Sequence, residues 1–149
     1  MESWHPALVH FPIALLPLSV GLDLAALLKN RPQWHGMAYG VLILGTVGAL
    51  MAVVSGNQAA LAYRDLAISN RIEDHEDLST AAFLLLLVIG LGRLPLHLQN
   101  RLCGWPIKLW ILLAAVASGM LWVSAYWGGR LVYIYGVGVK EGLQVPGGF

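Results

Sequence analysis

The stretch ALVHFPIALLPLSVGLDLAALL, residues 7–28, is long and apolar enough to cross a lipid bilayer as one helix. A spanning helix needs roughly 20 residues, and three more apolar stretches come close to or exceed that length, at about 36–62, 78–96 and 107–127. Of the 149 residues, 58% are hydrophobic and 11% are charged, whereas soluble domains carry about 25% charged residues. The sequence therefore predicts an all-α integral membrane protein folded as a four-helix bundle.

We expect one domain over residues 1–149, with helices at about 7–28, 36–62, 71–97 and 107–127 and a tail at 128–149. Asn70 and Glu73 have the spacing of a capping box, which places the start of the third helix near Arg71. The N-terminus lacks the basic flank and cleavage site of a secretory signal, so we expect the first helix to be retained. No internal sequence repeat is evident.

The basic residues in the loops and near the ends of the apolar stretches indicate an orientation. Those on the side of the first and third loops are Lys29, Arg31, Arg93, Arg101 and Lys108. Those on the side of the termini are Arg64, Arg71, Arg130 and Lys140. The positive-inside rule then weakly favours cytoplasmic first and third loops. We expect a multi-pass protein of the bacterial inner membrane with both termini in the periplasm.

Three histidines fall at the outer ends of predicted helices, His5 and His10 on the first and His75 on the third. An ionisable group within a spanning segment is costly and is by default a functional candidate, and imidazole is a common ligand of metals and haem iron. Positions 5 and 10 lie about 140° apart on an ideal helix, so both face one iron only if the turn at Pro6 reorients His5. We predict that His10 and His75 bind the metal, with His5 supporting them or replacing one of them.

Haem b suits this arrangement better than zinc or copper, because four-helix bundles build cofactor sites from side chains on facing helices. Ligation by two histidines leaves an electron-transfer iron, and Arg71 or Arg130 is placed to pair with the haem carboxylates. The predicted function is a membrane b-type cytochrome, an electron carrier or redox subunit with its haem near the outer face. A second haem at His35 and His97 is the less favoured arrangement.

Two other classes of function stay open. One is a histidine site that handles or transports copper or zinc, and the other is a cofactor-free structural subunit of a respiratory membrane complex. Cys103 is the only cysteine, which excludes an intramolecular disulfide and covalent haem attachment. Asp23, the one acid within an apolar helix, is either a structural group or a carboxylate of a proton relay or quinone site.

The partners that the sequence allows are the lipid bilayer, subunits of a respiratory complex and a second copy of the chain. Four acids surround His75, namely Glu73, Asp74, Glu76 and Asp77. They either form a solvated first turn of the third helix or a docking patch for a basic redox partner such as a periplasmic cytochrome c. The chain has no basic run that would indicate nucleic-acid binding.

Several motifs together resemble one bacterial membrane family, named domain of unknown function 2231. They are HPALVHFPIAL at 5–15, Asp23, Ser55-Gly56, His75, GGRLVY at 128–133 and GVGV at 136–139. The resemblance covers most of the chain. It implies a four-helix inner-membrane protein, suspected of carrying haem b and found alongside cytochromes.

Overall fold

The protein is all-helical in the residues that its computed structural model describes, which are 4–99, 101–102 and 104–139. The helices are α1 (His5–Leu8), α2 (His10–Leu28), α3 (Gln33–Ala60), α4 (Ser69–Leu98) and α5 (Gly104–Tyr133). A short 3₁₀ turn, Leu61–Tyr63, follows α3. The four spans that these helices form are each long and apolar enough to cross a membrane, as the sequence predicts. Cys103 and Lys140 lie outside the described residues.

The helix bounds differ from the sequence-based ones in two places that matter for the site. The first span begins at His5 instead of residue 7, and its backbone stays helical through Val9, the residue between α1 and α2. The last helix continues through Gly128 and Gly129 to Tyr133, instead of ending at residue 127. Glycine is a poor helix former, but Leu131 of this extra turn is buried against Ala60 and Ile72. Tertiary packing therefore extends the helix beyond the point that local propensity indicates.

The four long helices form a closed ring in which α2 and α4 each pack against both α3 and α5. The main core runs along its centre and includes Leu16, Leu42, Leu86 and Ile111. A smaller cluster of Ala60, Ile72 and Leu131 closes one end of the bundle, which we call the His5 end. We call the opposite end, where α2 finishes and α3 begins, the Asp23 end.

The two helical hairpins, α2–α3 and α4–α5, bury many of the same positions. A separation of 70 residues relates buried residues of α2 to buried residues of α4, pairing Pro12, Leu16, Ser19 and Asp23 with Ala82, Leu86, Ile89 and Arg93. A separation of 72 residues does the same for α3 and α5, pairing His35, Tyr39, Leu42, Gly45, Thr46, Ala49 and Ala52 with Ile107, Ile111, Ala114, Ala117, Ser118, Leu121 and Ser124. The two hairpins thus repeat the same structure, although most corresponding residues differ in identity.

Side-chain bonds follow the same correspondence. Thr46 Oγ1 donates to the Leu42 carbonyl at 2.8 Å, and Ser118 Oγ donates to the Ala114 carbonyl at 2.8 Å. Both hairpins start at the His5 end, so an approximate two-fold axis along the bundle relates them, as in parallel repeats of membrane transporters. Residues that correspond and also touch each other must lie beside this axis.

The position of Arg93 corrects the charge count that indicated the orientation. The sequence places Arg93 in the third loop, but it lies inside α4 and is 0% exposed. An arginine that is paired within the bundle is not part of a loop and does not contribute to the positive-inside bias. The count becomes even, and the argument for periplasmic termini from basic residues is lost.

Candidate functional site

His5 and His75 lie side by side at the His5 end, across the approximate two-fold axis. Their ring centres are 6.4 Å apart and the ring planes meet at 81°. His5 is the first residue of α1, where Pro6 occupies an early position that requires no N–H bond. His75 lies in the second turn of α4. Both side chains are partly buried, so the two imidazoles form a pair within the bundle.

Each imidazole is anchored through Nδ1 to the neighbouring helix of the ring. His5 Nδ1 donates to the Ala52 carbonyl on α3 at 2.9 Å, and His75 Nδ1 donates to the Ser124 carbonyl on α5 at 3.0 Å. A carbonyl oxygen only accepts, so Nδ1 carries the proton in both rings. In the neutral ring, Nε2 is then the nitrogen with a free lone pair. Metal-binding histidines have this arrangement, with the other ring nitrogen donating to a carbonyl or carboxylate.

Serine hydroxyls complete the anchoring of His75. Ser124 Oγ lies 3.1 Å from His75 Nδ1 and 2.7 Å from Ser79 Oγ, and Ser79 Oγ donates to the His75 carbonyl at 2.7 Å. Since the Ser79 proton goes to that carbonyl, Ser124 is the donor between the two hydroxyls. On the other side of the axis, Ser55 Oγ lies 3.2 Å from His5 Nδ1. The polar bonds fix the orientation of both rings.

Two glycines at corresponding positions give the rings their space. A Cβ at Gly56 would lie 2.9 Å from His5 Cε1, and a Cβ at Gly128 would lie 3.1 Å from His75 Cε1. The first contact is shorter than packed side chains allow, and the second would push the His75 ring by a few tenths of an ångström. Gly128 therefore lies inside the last helix for a steric reason, and Gly56 is its counterpart on α3.

The structure brings together His5 and His75, rather than the pair His10 and His75 that the sequence favours. His10 opens α2, and its side chain is exposed. Because the backbone stays helical through Val9, His5 and His10 remain about 140° apart around the first span. Arg71 and Arg130 line one cavity beside His75.

A second polar cluster, which the sequence analysis missed, lies at the Asp23 end. Arg93 Nη1 donates to Asp23 Oδ2 at 2.7 Å and Arg93 Nη2 to Asp23 Oδ1 at 3.1 Å. His35 Nδ1 donates to Asp23 Oδ1 at 2.7 Å. Asp23 and Arg93 are 0% exposed and His35 is 3% exposed. A buried carboxylate requires such partners, and Arg93 and His35 supply them for Asp23.

One regularity of the sequence reflects the correspondence between Asp23 and Arg93. Asp23 follows His5 by the same 18 positions by which Arg93 follows His75. Around the pair, the Tyr39 ring lies 5.8 Å from the Arg93 guanidinium carbon, and Tyr39 Oη donates to the Gly90 carbonyl at 3.0 Å. His97 stacks on Tyr39 with ring centres 4.7 Å apart. His35 and His97 therefore have separate partners, Asp23 and Tyr39.

The donor sets limit the metals that the protein side chains can hold. Within the described part of the chain, no group of three or more His, Cys, Asp and Glu side chains is arranged to hold a metal ion. His5 and His75 supply two nitrogens, whereas zinc sites usually have three or four protein ligands. A metal at this pair needs most of its ligands from elsewhere.

The fold and the buried ionisable pairs define a polytopic helical membrane protein. The chain belongs to the family described as predicted membrane protein (DUF2231), whose model matches residues 2–141. No curated protein and no solved structure matches the chain.

Proposed function

We propose that the protein is a membrane-embedded electron carrier in which His5 and His75 hold the iron of one haem b. The observation that carries this proposal is the pair of imidazoles beside the two-fold axis, each with Nδ1 bonded to a backbone carbonyl. Metal–imidazole bonds of about 2 Å on either side of one ion separate the two ring centres by about 6 Å. The observed separation of 6.4 Å is consistent with this geometry.

Haem suits a site with two protein ligands because the porphyrin supplies the other four nitrogens. When bound, it supplies a one-electron couple with both axial positions closed, which favours electron transfer over oxygen activation. The chain's own residues hold the ligands in place: Ala52 and Ser124 accept the Nδ1 protons, and Gly56 and Gly128 leave room for the rings. The carboxylates would face Arg71 and Arg130.

Copper is the second candidate, and one observation favours it. The ring centres of His5 and His75 are 6.4 Å apart, and an ion between two imidazoles needs no additional space for a macrocycle. Imidazole is a suitable ligand for copper. In this case the pair would serve copper handling or transport.

The proposal also includes a place in the cell. We infer a bacterial inner-membrane protein, as the family resemblance implies, with the His5 end in the periplasm, where a soluble redox partner would reach the histidine pair. Glu73, Asp74 and Asp77 are exposed on α4 around His75. They would attract a basic redox partner such as a periplasmic cytochrome c. Partner reduction should then slow steeply as ionic strength increases, and a rate independent of salt would exclude electrostatic docking.

The test is an absorption spectrum of the purified protein, oxidised and then reduced with dithionite, together with a pyridine haemochrome assay and metal analysis. Sharp α and β bands and one haem per chain are expected. Replacing either ligand, His5→Ala or His75→Ala, should abolish haem retention, and the exposed His10→Ala is the matched control. If His10→Ala loses haem and His5→Ala retains it, the ligands are His10 and His75, the pair that the sequence favours.

The same preparation separates the alternatives. Copper without haem, lost in both His5→Ala and His75→Ala, would replace the electron-carrier proposal with metal handling. A colourless, metal-free protein from haem- and copper-replete cells would indicate a structural subunit of a membrane complex.

A further inference from the structure

A small charged cavity lies beside His75 at the His5 end, between α4, α5 and the segment that follows α5. Its volume is about 120 Å³. The residues that line it are Arg71, Asp74, Trp127, Arg130, Leu131 and Tyr135. Leu131 is buried and the two arginines are exposed, so the cavity has an apolar floor and a cationic rim.

The two arginines come from different helices and point to an anionic ligand. Arg71 is on α4 and Arg130 is on α5, and both line the same small space. Among the described residues, neither lies within 4 Å of a carboxylate oxygen, since the ion pairs found there both involve Asp23. A guanidinium presents a planar fork of donors that matches carboxylate and phosphate oxygens. The two positive charges of Arg71 and Arg130 exceed the single negative charge of Asp74, so the cavity lining carries a net positive charge.

A neighbouring cavity at the same end of the bundle does not share this excess of positive charge. On the other side of α4, a cavity of about 250 Å³ is lined by Arg64 together with Glu73 and Glu76. Tyr63 and Tyr135 hold corresponding positions in the two hairpins and line one cavity each. The same end of the bundle thus has one cavity with an excess of carboxylates and one with an excess of guanidinium groups.

The level of the cavity in the membrane indicates the source of the anion. Trp127 and Tyr135 are exposed at the end of a spanning helix. Aromatic side chains at this level lie among lipid headgroups, where two guanidinium groups can form charge-assisted hydrogen bonds with a headgroup phosphate. We propose that the cavity binds an anionic oxygen group, the phosphate of an acidic phospholipid in the adjacent leaflet. A haem carboxylate has the same chemistry and is the other source to be distinguished.

The experiment measures lipid retention by the full-length protein. Delipidated protein is supplemented with equal amounts of phosphatidylglycerol and phosphatidylcholine, and bound lipid per chain is measured by native mass spectrometry. We expect phosphatidylglycerol to be retained preferentially. Each surface arginine contributes about fivefold to binding an anionic lipid, so Arg71→Gln/Arg130→Gln should lose most of this preference. The matched control, Arg64→Gln, removes one arginine from the other cavity and should leave the preference unchanged.

Equal retention of the two lipids by the unsubstituted chain would overturn the proposal, and so would an undiminished preference in the double variant. Haem content is measured in phosphatidylcholine alone. If the double variant loses haem there but keeps its preference for phosphatidylglycerol, the cavity holds a haem carboxylate and the lipid assignment is wrong. If circular dichroism shows that the double variant has not folded, lipid retention is measured instead for the single variants Arg71→Gln and Arg130→Gln. The lipid proposal assigns Arg71 and Arg130 to a lipid phosphate instead of the haem carboxylates, and it does not depend on whether His5 and His75 hold a haem.

Discussion

His5 and His75 occupy corresponding positions in the two hairpins, and their imidazole centres are 6.4 Å apart across the approximate two-fold axis. Each ring donates from Nδ1 to a carbonyl, that of Ala52 or Ser124, and these residues correspond as well. The bundle therefore offers a ligand two equivalent nitrogens. Such a site resembles one formed between identical subunits, although one chain supplies both halves.

The glycines that contact the rings give the first prediction. Gly56→Ala and Gly128→Ala place a Cβ at 2.9 Å from His5 Cε1 and 3.1 Å from His75 Cε1, so each ring must shift. Changes that disturb the orientation of metal ligands typically reduce affinity by about 10- to 100-fold. We expect this loss in haem or copper retention, measured by titration of the purified variants.

Gly129→Ala is the control for this prediction, because a Cβ at Gly129 would have no neighbour within 4 Å. It makes the same chemical change one residue further along α5 and should retain the ligand fully. Equal losses in Gly128→Ala and Gly129→Ala would show that the effect comes from the helix and not from His75.

The protonation of the pair gives the second prediction. Because both Nδ1 atoms donate to carbonyls, the ligand-free protein should keep the Nδ1 proton on both His5 and His75. Nitrogen-15 spectra of histidine-labelled protein distinguish the two ring nitrogens. Protonation of both rings at Nε2 alone would contradict the hydrogen bonds described above.

The ion pair at the Asp23 end gives the third prediction, measured as a cycle of variants by unfolding in detergent. Removing one partner of a buried pair costs about 3–5 kcal/mol, so Asp23→Leu and Arg93→Leu should each destabilise the protein by that amount. The double variant Asp23→Leu/Arg93→Leu should recover most of the stability, because no buried charge is left without a partner. Additive losses in the double variant would mean that the two charges do not interact.

A charge exchange tests the repeat itself. Asp23 and Arg93 correspond in the two hairpins and meet across the axis. Asp23→Arg/Arg93→Asp should therefore form the same ion pair with the charges exchanged. Its free energy of unfolding should be higher than that of either single leucine variant. His35 donates to Asp23 at 2.7 Å and has Ile107 as its counterpart, so recovery should be incomplete. A double variant less stable than both singles would contradict the two-fold relation.

Packing between α4 and α5 gives the fourth prediction. A Cβ at Gly92 would overlap the Trp110 ring, whereas a Cβ at Gly21 would meet nothing within 4 Å. Overpacking typically costs about 1–3 kcal/mol, so Gly92→Ala should lower the thermal midpoint in detergent. Gly21→Ala, the matched control in α2, should leave the midpoint unchanged or raise it, because alanine is the better helix former.

Part of the candidate site could be predicted from the sequence. Histidines near the ends of two spanning helices are recognisable because the surrounding residues are apolar, and His5, His10 and His75 were found in this way. The choice between His5 and His10 cannot be made from the sequence, because it depends on which face of the first span packs against α3 and on the carbonyl of Ala52. Arg93 was assigned to a loop because no local pattern reveals a partner 70 residues away.

The sequence alone determined that the chain is a helical membrane protein with four spans, because length and apolar composition decide whether a segment prefers lipid to water. It also determined the family, through short motifs with fixed residues. Only the tertiary structure decided which histidine faces His75, which charge neutralises Asp23 and that the two hairpins correspond. These depend on contacts between residues far apart in the chain, and many different residues can fill corresponding buried positions when their volumes and bonds are compatible.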